Sequence, residues 1–394
     1  MTHQRREDST VSSPPSRSSS TEPRTGIDPD ALPPRWLPVL YFGSAHVALA
    51  LAFLVTAIDP RAIGGFFYHH HLIALVHLVT LGWISLSIIG ALYLVGPMAL
   101  RMPMPARQID YWIFGLLLTG IIGMAGHFWI GEYGGMGWSA GVVAAGFTLM
   151  AARLLPRVAR ARAPRSVKVH ILLAFANILA AATMGILLAI DKVHPILSGY
   201  VLTNVFAHAH LAAIGWASLM VVGLAYRLLP MVLPAAMPDG RSLYVSAILL
   251  EAGTAGLFVA LLKESRWTVV FGAIIVAGFA AFLSHVVWMT RHRRPVPVRR
   301  PQPDYAVRHV AIAMGYLAVS CVFGLVLAIA PMNDWTLQLA SAYGICGLVG
   351  FLAQIIVGVQ ARILPIFAWY HAFARFKGSD LVSCTPDQVR KKQD

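Results

Sequence analysis

Apolar runs of about 20 residues or more recur along the whole of this 394-residue chain, and they restrict it to one structural class. Hydrophobic residues make up 57% of the sequence and charged residues only 12%, which excludes a soluble globular protein. Unpaired backbone groups cannot lie in lipid, so each run is predicted to be an α-helix. The sequence therefore predicts an all-α, polytopic membrane protein whose first partner is the lipid bilayer.

The basic residues test the number of spans. With ten spans, two loops on one side are rich in arginine, Arg153 to Lys168 and Arg291 to Arg308, whereas the opposite loops hold few basic residues. The positive-inside rule then places both termini in the cytoplasm, and a bacterial-type inner membrane is expected. The spans are predicted near residues 36–58, 70–97, 110–131, 136–156, 168–190, 200–230, 242–262, 267–290, 308–330 and 337–370.

Charge and cysteine content exclude further classes. The net charge of +14 comes from loops between apolar runs, so topology accounts for it and no nucleic-acid partner is expected. Three cysteines without a CxxC pair exclude a disulfide scaffold, a zinc ribbon and a CxxCH haem attachment. Residues 1–35 are rich in Ser, Pro, Arg and Thr and predict a disordered cytoplasmic tail. Residues 371–394 predict a second cytoplasmic tail.

One segment of the second span recurs in the sixth. The segment from His77 to Met98 reads HLVTLGWISLSIIGALYLVGPM, and the segment from His210 to Met231 reads HLAAIGWASLMVVGLAYRLLPM. Ten of these 22 positions are identical without a gap. A fainter third copy runs from Ile345 to Ile366 in the tenth span, with Ile345 in the place of the histidine.

The repeated unit is larger than one helix. The copies lie four spans apart, and the fifth and ninth spans also align, with Gly185 matching Gly324. We therefore predict a four-helix unit over about residues 36–157 and 168–290, and a truncated third unit over about 308–370. An even number of helices keeps every unit in the same orientation, so a pseudo-threefold axis along the membrane normal is expected.

Repeated histidines in an apolar segment are the strongest chemical signal. His77 and His210 are predicted at similar depths, roughly 12–15 Å from the same membrane face. Neutral imidazoles from two helices at one level suit a metal ion or a haem iron. His46 and His208 are further cofactor candidates, although His208 and His210 cannot both face one centre. For each histidine, a hydrogen bond to a backbone carbonyl is the structural alternative.

Two more residues near the outer face are candidate metal ligands. His70 lies on the same helix face as His77, seven residues earlier, and His71 follows it. An interfacial position of His69, His70 and His71 is the alternative. Four other histidines near helix ends are predicted to be structural: His127, His170, His285 and His309.

Glu251 is predicted close to mid-membrane, roughly 13 Å into the seventh span. No basic residue is near it in the sequence, so its carboxyl group is expected to be protonated. An ionisable group at this depth is a candidate proton relay. The alternative is a structural hydrogen bond from the glutamic acid to a neighbouring helix.

The arrangement resembles subunit I, the catalytic subunit, of the haem-copper oxidase superfamily, which includes cytochrome oxidases and nitric oxide reductases. The four-helix arcs, the second-helix histidines and the cytoplasmic termini carry the resemblance over most of residues 36–370. The segment His210–Pro230, with its H…GW…G..Y…P pattern, is similar to the sixth helix of the cbb3-type subunit. The resemblance implies that His77 ligates a low-spin haem and that His210 or His208 takes the place of a copper ligand.

The ligand set departs from the family pattern. The family's tenth helix carries two histidines, but this tenth span has none before His371. The family's seventh helix carries a histidine pair for copper, and this seventh span has none. Two helices expected after the tenth are also absent. The matching positions therefore do not assemble a complete binuclear centre.

The leading hypothesis is a haem-binding membrane protein that holds at most one b-type haem through His77 and His210. The resemblance implies electron transfer or a role linked to nitric oxide or oxygen, a redox partner protein or another respiratory subunit and, if the chain is enzymatic, an oxidoreductase. A copper- or haem-handling assembly protein without catalysis is one alternative. A proton-coupled transporter that uses Glu251 and the histidines is another.

Overall fold

The computed structural model describes residues 32–61, 66, 68–295 and 304–373. The described part is all-helical, without a strand, and contains ten helices long and apolar enough to cross a membrane. The predicted class and number of spans are thus confirmed. The helices are α1 (Trp36–Ile58), α2 (His70–Ala99), α3 (Gln108–Ile130), α4 (Met136–Arg160), α5 (Arg165–Asp191), α6 (Val201–Val232), α7 (Leu243–Leu262), α8 (Thr268–Arg291), α9 (Tyr305–Ile329) and α10 (Asp334–Trp369, with helical backbone to Phe373).

The two ends of the bundle differ in chemistry. One end, here called the arginine-rich end, carries the basic loop that joins α4 to α5. The other, the histidine-rich end, carries the start of α2 and the loops after α3 and α5, with His69, His70, His71, His127 and His194. Most of the two predicted tails, residues 1–31 and 374–394, lies outside the described residues.

The bundle is apolar on its outside as well as in its core. Large aromatic side chains fill the interior, whereas Trp138, Ile130 and Val322 are among the exposed apolar residues on outward-facing helix surfaces. A soluble protein rarely exposes so much contiguous apolar surface. This distribution is what contact with lipid requires.

Three helices share one departure from α-helical geometry. α2, α6 and α10 each contain an eight-residue π-helical segment, Leu78–Ser85, Leu211–Ser218 and Cys346–Ala353 respectively. Each segment begins directly after the aligned position, which is His77, His210 or Ile345. The three π segments contact one another inside the bundle. π-Helical turns are rare and occur frequently at functional sites, so these segments direct attention to the histidines beside them.

The aligned serines explain part of this geometry. Ser85 donates a hydrogen bond to the carbonyl oxygen of Thr80 at 2.8 Å, and Ser218 donates one to that of Ala213 at 2.8 Å. Both bonds reach back five residues, the spacing of a π turn. The serine shared by the two copies therefore satisfies a backbone carbonyl that the widened helix leaves available.

The glycines of the repeat allow close helix approach. A Cβ atom at Gly215 in α6 would lie 2.5 Å from the side-chain amide of Asn177 in α5. The aligned Gly350 in α10 is crowded in the same way by Tyr316 of α9. Small residues at such crossings are typical of membrane helix packing. Close packing thus accounts for this glycine without a cofactor.

Gly215→Ala is expected to destabilise the protein by about 1–3 kcal/mol, because the new methyl group overlaps Asn177. Thermal unfolding of the purified protein in detergent measures this effect. Gly115→Ala in α3 is the matched control, since a Cβ there meets no atom within 4 Å. Equal melting temperatures for the two variants would contradict the proposed overlap.

Candidate cofactor site

All four candidate cofactor ligands place Nδ1 of the imidazole ring against a backbone carbonyl oxygen. Nδ1 of His46, His77 and His210 lies 2.7 Å, 2.8 Å and 2.7 Å from the carbonyl oxygen four residues earlier. Nδ1 of His208 lies 3.0 Å from the carbonyl oxygen of Ala181 in α5. A carbonyl only accepts, so Nδ1 carries the hydrogen and Nε2 keeps its lone pair. This is the state in which imidazole binds a metal.

His77 of α2 and His208 of α6 lie near each other. They lie close enough for their rings to interact electrostatically. Phe128 of α3 stacks on the His77 ring, with ring centroids 5.0 Å apart and planes 24° apart. Gly185 leaves room for the His208 ring, since a Cβ there would lie 3.1 Å from its Cε1. The structure thus brings together two of the predicted cofactor ligands.

His210 faces a different neighbour. Its Nε2 lies 3.5 Å from the hydroxyl of Tyr343 in α10, at the long end of hydrogen-bonding distance, and the two rings are 25° from parallel. The predicted partner His77 instead stacks on Phe128 and lies near His208. Among the described residues, His77 and His210 therefore belong to two separate helix contacts.

Sequence reasoning missed Tyr343, although the repeat contains the signal. Tyr343 stands two residues before Ile345, as His208 stands two residues before His210. It also packs on Gly324, as His208 packs on Gly185. In both pairs, the residue two positions before the aligned position of one unit lies near the aligned histidine of the preceding unit. His208 lies near His77 in this way, and Tyr343 lies near His210.

His46 lies at the edge of this arrangement. Its side chain is exposed on α1, and its ring contacts Trp83 edge-on with centroids 4.8 Å apart. His77, His208 and His210, in contrast, are half-buried. The three central imidazoles are therefore only partly enclosed by the bundle.

The cavity between α2, α6 and α10 is too small for a macrocycle. It has a volume of about 50 Å³ and lies between the π segments and the arginine-rich end. Two buried polar atoms there, Ser87 Oγ and Gln360 Nε2, have no partner among the described residues. Cofactor pockets of drug-like size occupy about 300–1,000 Å³. This cavity is therefore too small to hold a haem.

Trp216 and Trp83 are aligned but differ in their hydrogen bonds. Trp216 in α6 donates to Ser85 Oγ in α2 at 3.0 Å. Trp83 is fully buried, and its Nε1 has no partner among the described residues. The position in α10 that aligns with Ser85 is Ala353. The repeat relation thus predicts that Trp83 lacks its acceptor because alanine has replaced serine in the third copy.

Ala353→Ser is expected to stabilise the protein by about 0.5–1.5 kcal/mol, because the hydroxyl gives the Trp83 N–H an acceptor. The change in thermal stability in detergent measures the gain. The same substitution in a Trp83→Phe background is the control, and there the gain should vanish. An equal gain in both backgrounds would show that the serine acts without Trp83.

Glu251 has a partner on the neighbouring helix. Asn177 Nδ2 donates to Glu251 Oε2 at 2.6 Å and to the carbonyl oxygen of Leu173 at 3.0 Å. Asn177 is buried, and Glu251 is half-buried. The amide holds the carboxyl group beside the π segment of α6, where Asn177 fills the space left by Gly215. A hydrogen bond from Asn177 thus joins Glu251 to the neighbouring helix α5, which agrees with the structural alternative for this residue.

The aligned tyrosines near the arginine-rich end organise two polar clusters. Tyr226 Oη lies 2.9 Å from Ser246 Oγ and 3.3 Å from His285 Nδ1, and His170 Nε2 lies 3.1 Å from the same serine. Tyr93 instead donates to Asp110 at 3.0 Å. His170 and His285 are thus satisfied within the protein, as expected of structural histidines.

The other two predicted structural histidines are also hydrogen-bonded. His127 Nδ1 lies 3.0 Å from Glu132 Oε2, and His309 donates from Nδ1 to Gln354 Oε1 at 2.6 Å. Glu132 further accepts from the backbone N–H groups of Gly134 and Gly135, and these bonds lower the pKa of its carboxyl group. Glu132 therefore carries a negative charge at neutral pH.

The predicted metal ligands His70 and His71 lie together with His69. Each of the three offers a ring nitrogen, and these nitrogens all lie within 4.8 Å of one another. This cluster lies at the histidine-rich end of α2. It is separated from His77 by roughly two helical turns.

Fold and contacts define a multi-pass α-helical membrane protein with histidines at the contacts between its central helices. No protein-family model matches the chain, and neither the curated proteins nor the solved structures provide a match.

Proposed function

We propose that this chain is a haem-binding integral membrane protein with an oxidase-like, pseudo-threefold arrangement of helix units, acting in electron transfer or in nitric oxide- or oxygen-linked redox chemistry. One observation supports this best. His77 of α2 and His208 of α6 lie near enough to interact electrostatically, and both hold Nδ1–H against a backbone carbonyl so that Nε2 is available. His77 is the first proposed ligand. Proximity favours His208 as the second, with His210 as the alternative.

The residues present fit such a cofactor. Carbonyl acceptors fix the tautomer and ring orientation of each histidine, which also makes Nε2 a better ligand. Phe128 covers one face of His77 and restricts its ring rotation. Apolar helices around the histidines exclude water and favour the less charged state of a metal centre. A bound haem would supply reversible one-electron chemistry at its iron.

The repeat gives this proposal its structural logic. In each observed pair, a side chain two residues before the aligned site faces the aligned site of another unit: His208 faces His77, and Tyr343 faces His210. The corresponding third pair would be Leu75 and Ile345, which are both apolar. Only one of the three contacts between units therefore offers two imidazoles, which agrees with at most one haem per chain.

We further propose that the arginine-rich end faces the cytoplasm of a bacterial-type inner membrane, as the positive-inside rule predicts. The half-buried histidines then lie nearer the outer face. A redox partner protein or another respiratory subunit on that side would be closest to them. If the chain is enzymatic, the reaction class is an oxidoreductase of the haem-copper oxidase type.

Proton-coupled transport is the second candidate, and Glu251 favours it. Asn177 holds its carboxyl group inside the bundle, and the cluster around Tyr226 and Ser246 lies about 7.5 Å nearer the arginine-rich end along α7. Polar groups in this order are typical of proton relays in membrane proteins. A haem-free protein that carries protons in liposomes, with activity lost in Glu251→Gln, would support transport over haem binding.

A reduced-minus-oxidised spectrum tests the leading proposal. Full-length protein is produced in haem-replete cells, purified in detergent and reduced with dithionite. Soret and α bands of a b-type haem are expected, with no more than one haem per chain in a pyridine haemochrome assay. Purified, folded protein without a Soret band would reject the proposal.

A further inference from the structure

Three imidazoles converge at the histidine-rich end of α2. The ring centroids of His69 and His70 are 4.3 Å apart, those of His70 and His71 are 4.3 Å apart, and those of His69 and His71 are 5.1 Å apart. One ring nitrogen of each lies within 4.8 Å of the others. Consecutive side chains on a helix normally point in different directions, so this convergence needs a local cause.

The end of α3 provides that cause for two of the rings. His70 donates from Nδ1 to the carbonyl oxygen of Phe128 at 3.0 Å, which leaves Nε2 with its lone pair. His71 stacks on Trp129, with ring centroids 4.2 Å apart and planes 20° apart. Both rings are therefore oriented by a second helix before any ligand arrives. Such outer contacts are typical of metal-binding histidines.

His69 is placed by the backbone instead. It is the N-cap of α2 and has extended backbone angles, φ −72° and ψ 139°, so its side chain turns back over the first helical turn. Its Nδ1 accepts from the backbone N–H of His71 at 3.4 Å, a long hydrogen bond. His69 is the exposed member of the three, and its long hydrogen bond makes it the ring that adjusts most readily on binding a metal.

The ligand set selects the class of metal. Three imidazoles suit Cu²⁺, Ni²⁺ or Zn²⁺, whereas Ca²⁺ and Mg²⁺ take oxygen ligands. Bonds of about 2.0–2.1 Å in a tetrahedral site place the nitrogens roughly 3.3 Å apart. The three ring nitrogens lie within 4.8 Å of one another, so metal binding has to bring them closer by at most about 1.5 Å. A rotation of the exposed His69 achieves this closure. Affinity at nitrogen ligands rises from Ni²⁺ to Cu²⁺ and is lower for Zn²⁺.

Some charges near the three histidines oppose the binding of a cation, and others favour it. The start of a helix carries partial positive charge, which opposes a cation. Lys192 adds a positive charge over the ring of Tyr68, with its Nζ 4.5 Å from the ring centroid. Glu132 carries a negative charge and follows Gly131, whose backbone lies against the His70 ring. Binding therefore depends on the three imidazoles rather than on net electrostatic attraction.

We infer that His69, His70 and His71 form a divalent transition-metal site that binds Cu²⁺ in preference to Zn²⁺. The site is independent of the proposed haem, since none of its ligands is a proposed haem ligand. It lies at the opposite end of the bundle from the basic loop between α4 and α5, on the first turn of the helix that carries His77.

Copper titration of the full-length protein tests this inference. The protein is purified through a tag without histidine, and Cu²⁺ alone is added in competition with a chromogenic chelator. We expect one tight site per chain and nitrogen splitting from imidazoles in the Cu²⁺ electron paramagnetic resonance spectrum. His70→Gln/His71→Gln should weaken binding more than roughly 100-fold, because outer-shell losses alone cost roughly 10–100-fold.

His194→Gln is the matched control, because His194 is an exposed histidine at the same end of the bundle outside the cluster. It should bind Cu²⁺ as the unchanged protein does. His69→Gln, at an exposed position, gives a second reading if the double variant folds poorly, and it too should weaken binding. Unchanged affinity in both cluster variants, or an equal loss in His194→Gln, would overturn the site. His77→Ala/His208→Ala should retain it, which separates this result from the haem test.

Discussion

Haem absorbance is expected to disappear from the purified protein when His77 is replaced by alanine. His77 lies near a second imidazole, that of His208, and Phe128 stacks on its ring. Removing it leaves a single histidine at the contact between α2 and α6. A b-type haem has no covalent bond to the protein, so losing an axial ligand removes most of its retention. Soret absorbance per chain after purification measures the effect.

The second ligand is decided by comparing two variants two residues apart. If His208 is the ligand, His208→Ala should lose the low-spin spectrum whereas His210→Ala retains it. The reverse result would assign the role to His210. Exposed His46 on α1 is the control, and His46→Ala should keep full absorbance. A spectrum that persists in both His77→Ala/His208→Ala and His77→Ala/His210→Ala would rule out this site.

The largest stability effect is expected at Asp110, at the start of α3. This aspartate is fully buried and accepts hydrogen bonds of 3.0 Å from Tyr93, of 3.0 Å from both Nε and Nη2 of Arg153, and of 2.6 Å from the backbone of Arg107. Asp110→Asn leaves the Arg153 guanidinium in the interior without its counter-charge. Breaking a buried pair in this way costs about 3–5 kcal/mol. Thermal unfolding in detergent should show a large drop in Tm.

Asp304 provides a matched comparison. It pairs with Arg362 near the start of α9, where both side chains are partly exposed, and it also caps that helix. Asp304→Asn keeps a good N-cap and breaks a better solvated pair, so its effect should be smaller. The double substitution Asp110→Leu/Arg153→Met should recover much of the lost stability, because an apolar pair replaces the ion pair. Equal losses for Asp110→Asn and Asp304→Asn would contradict the role of burial.

The sequence predicts the helices well because a backbone segment in lipid has to form its hydrogen bonds internally, which restricts each span to a helix. Apolar length and the arginine asymmetry are local signals, and together they locate all ten spans of the described structure. The partners of individual side chains are harder, because they depend on how each helix is rotated. A π segment widens the helix and shifts the residues that follow it to a different face, so spacing rules based on 3.6 residues per turn fail across it.

At the candidate site, too, the sequence predicts the residues better than it predicts their partners. Repetition alone picks out His77 and His210, but it pairs them with each other, whereas their observed neighbours are His208 and Tyr343. The sequence patterns also do not identify Asp110 as a buried partner of Arg153. The positive-inside rule already accounts for the loop arginines, and hydropathy does not show a buried counter-charge. The alignment contained a usable signal for Tyr343, namely its place two residues before the repeated position.

The π segments also bear on the ancestry of this chain. All three copies widen at the same residue, including the copy in α10, which carries Ile345 where the others carry histidine. If the copies arose by duplication, the widened turn was present in the ancestral unit and has outlasted the loss of an imidazole beside it. Selection has then preserved the shape of the helix more strictly than the histidine beside it, so relatives without this histidine should still share this turn.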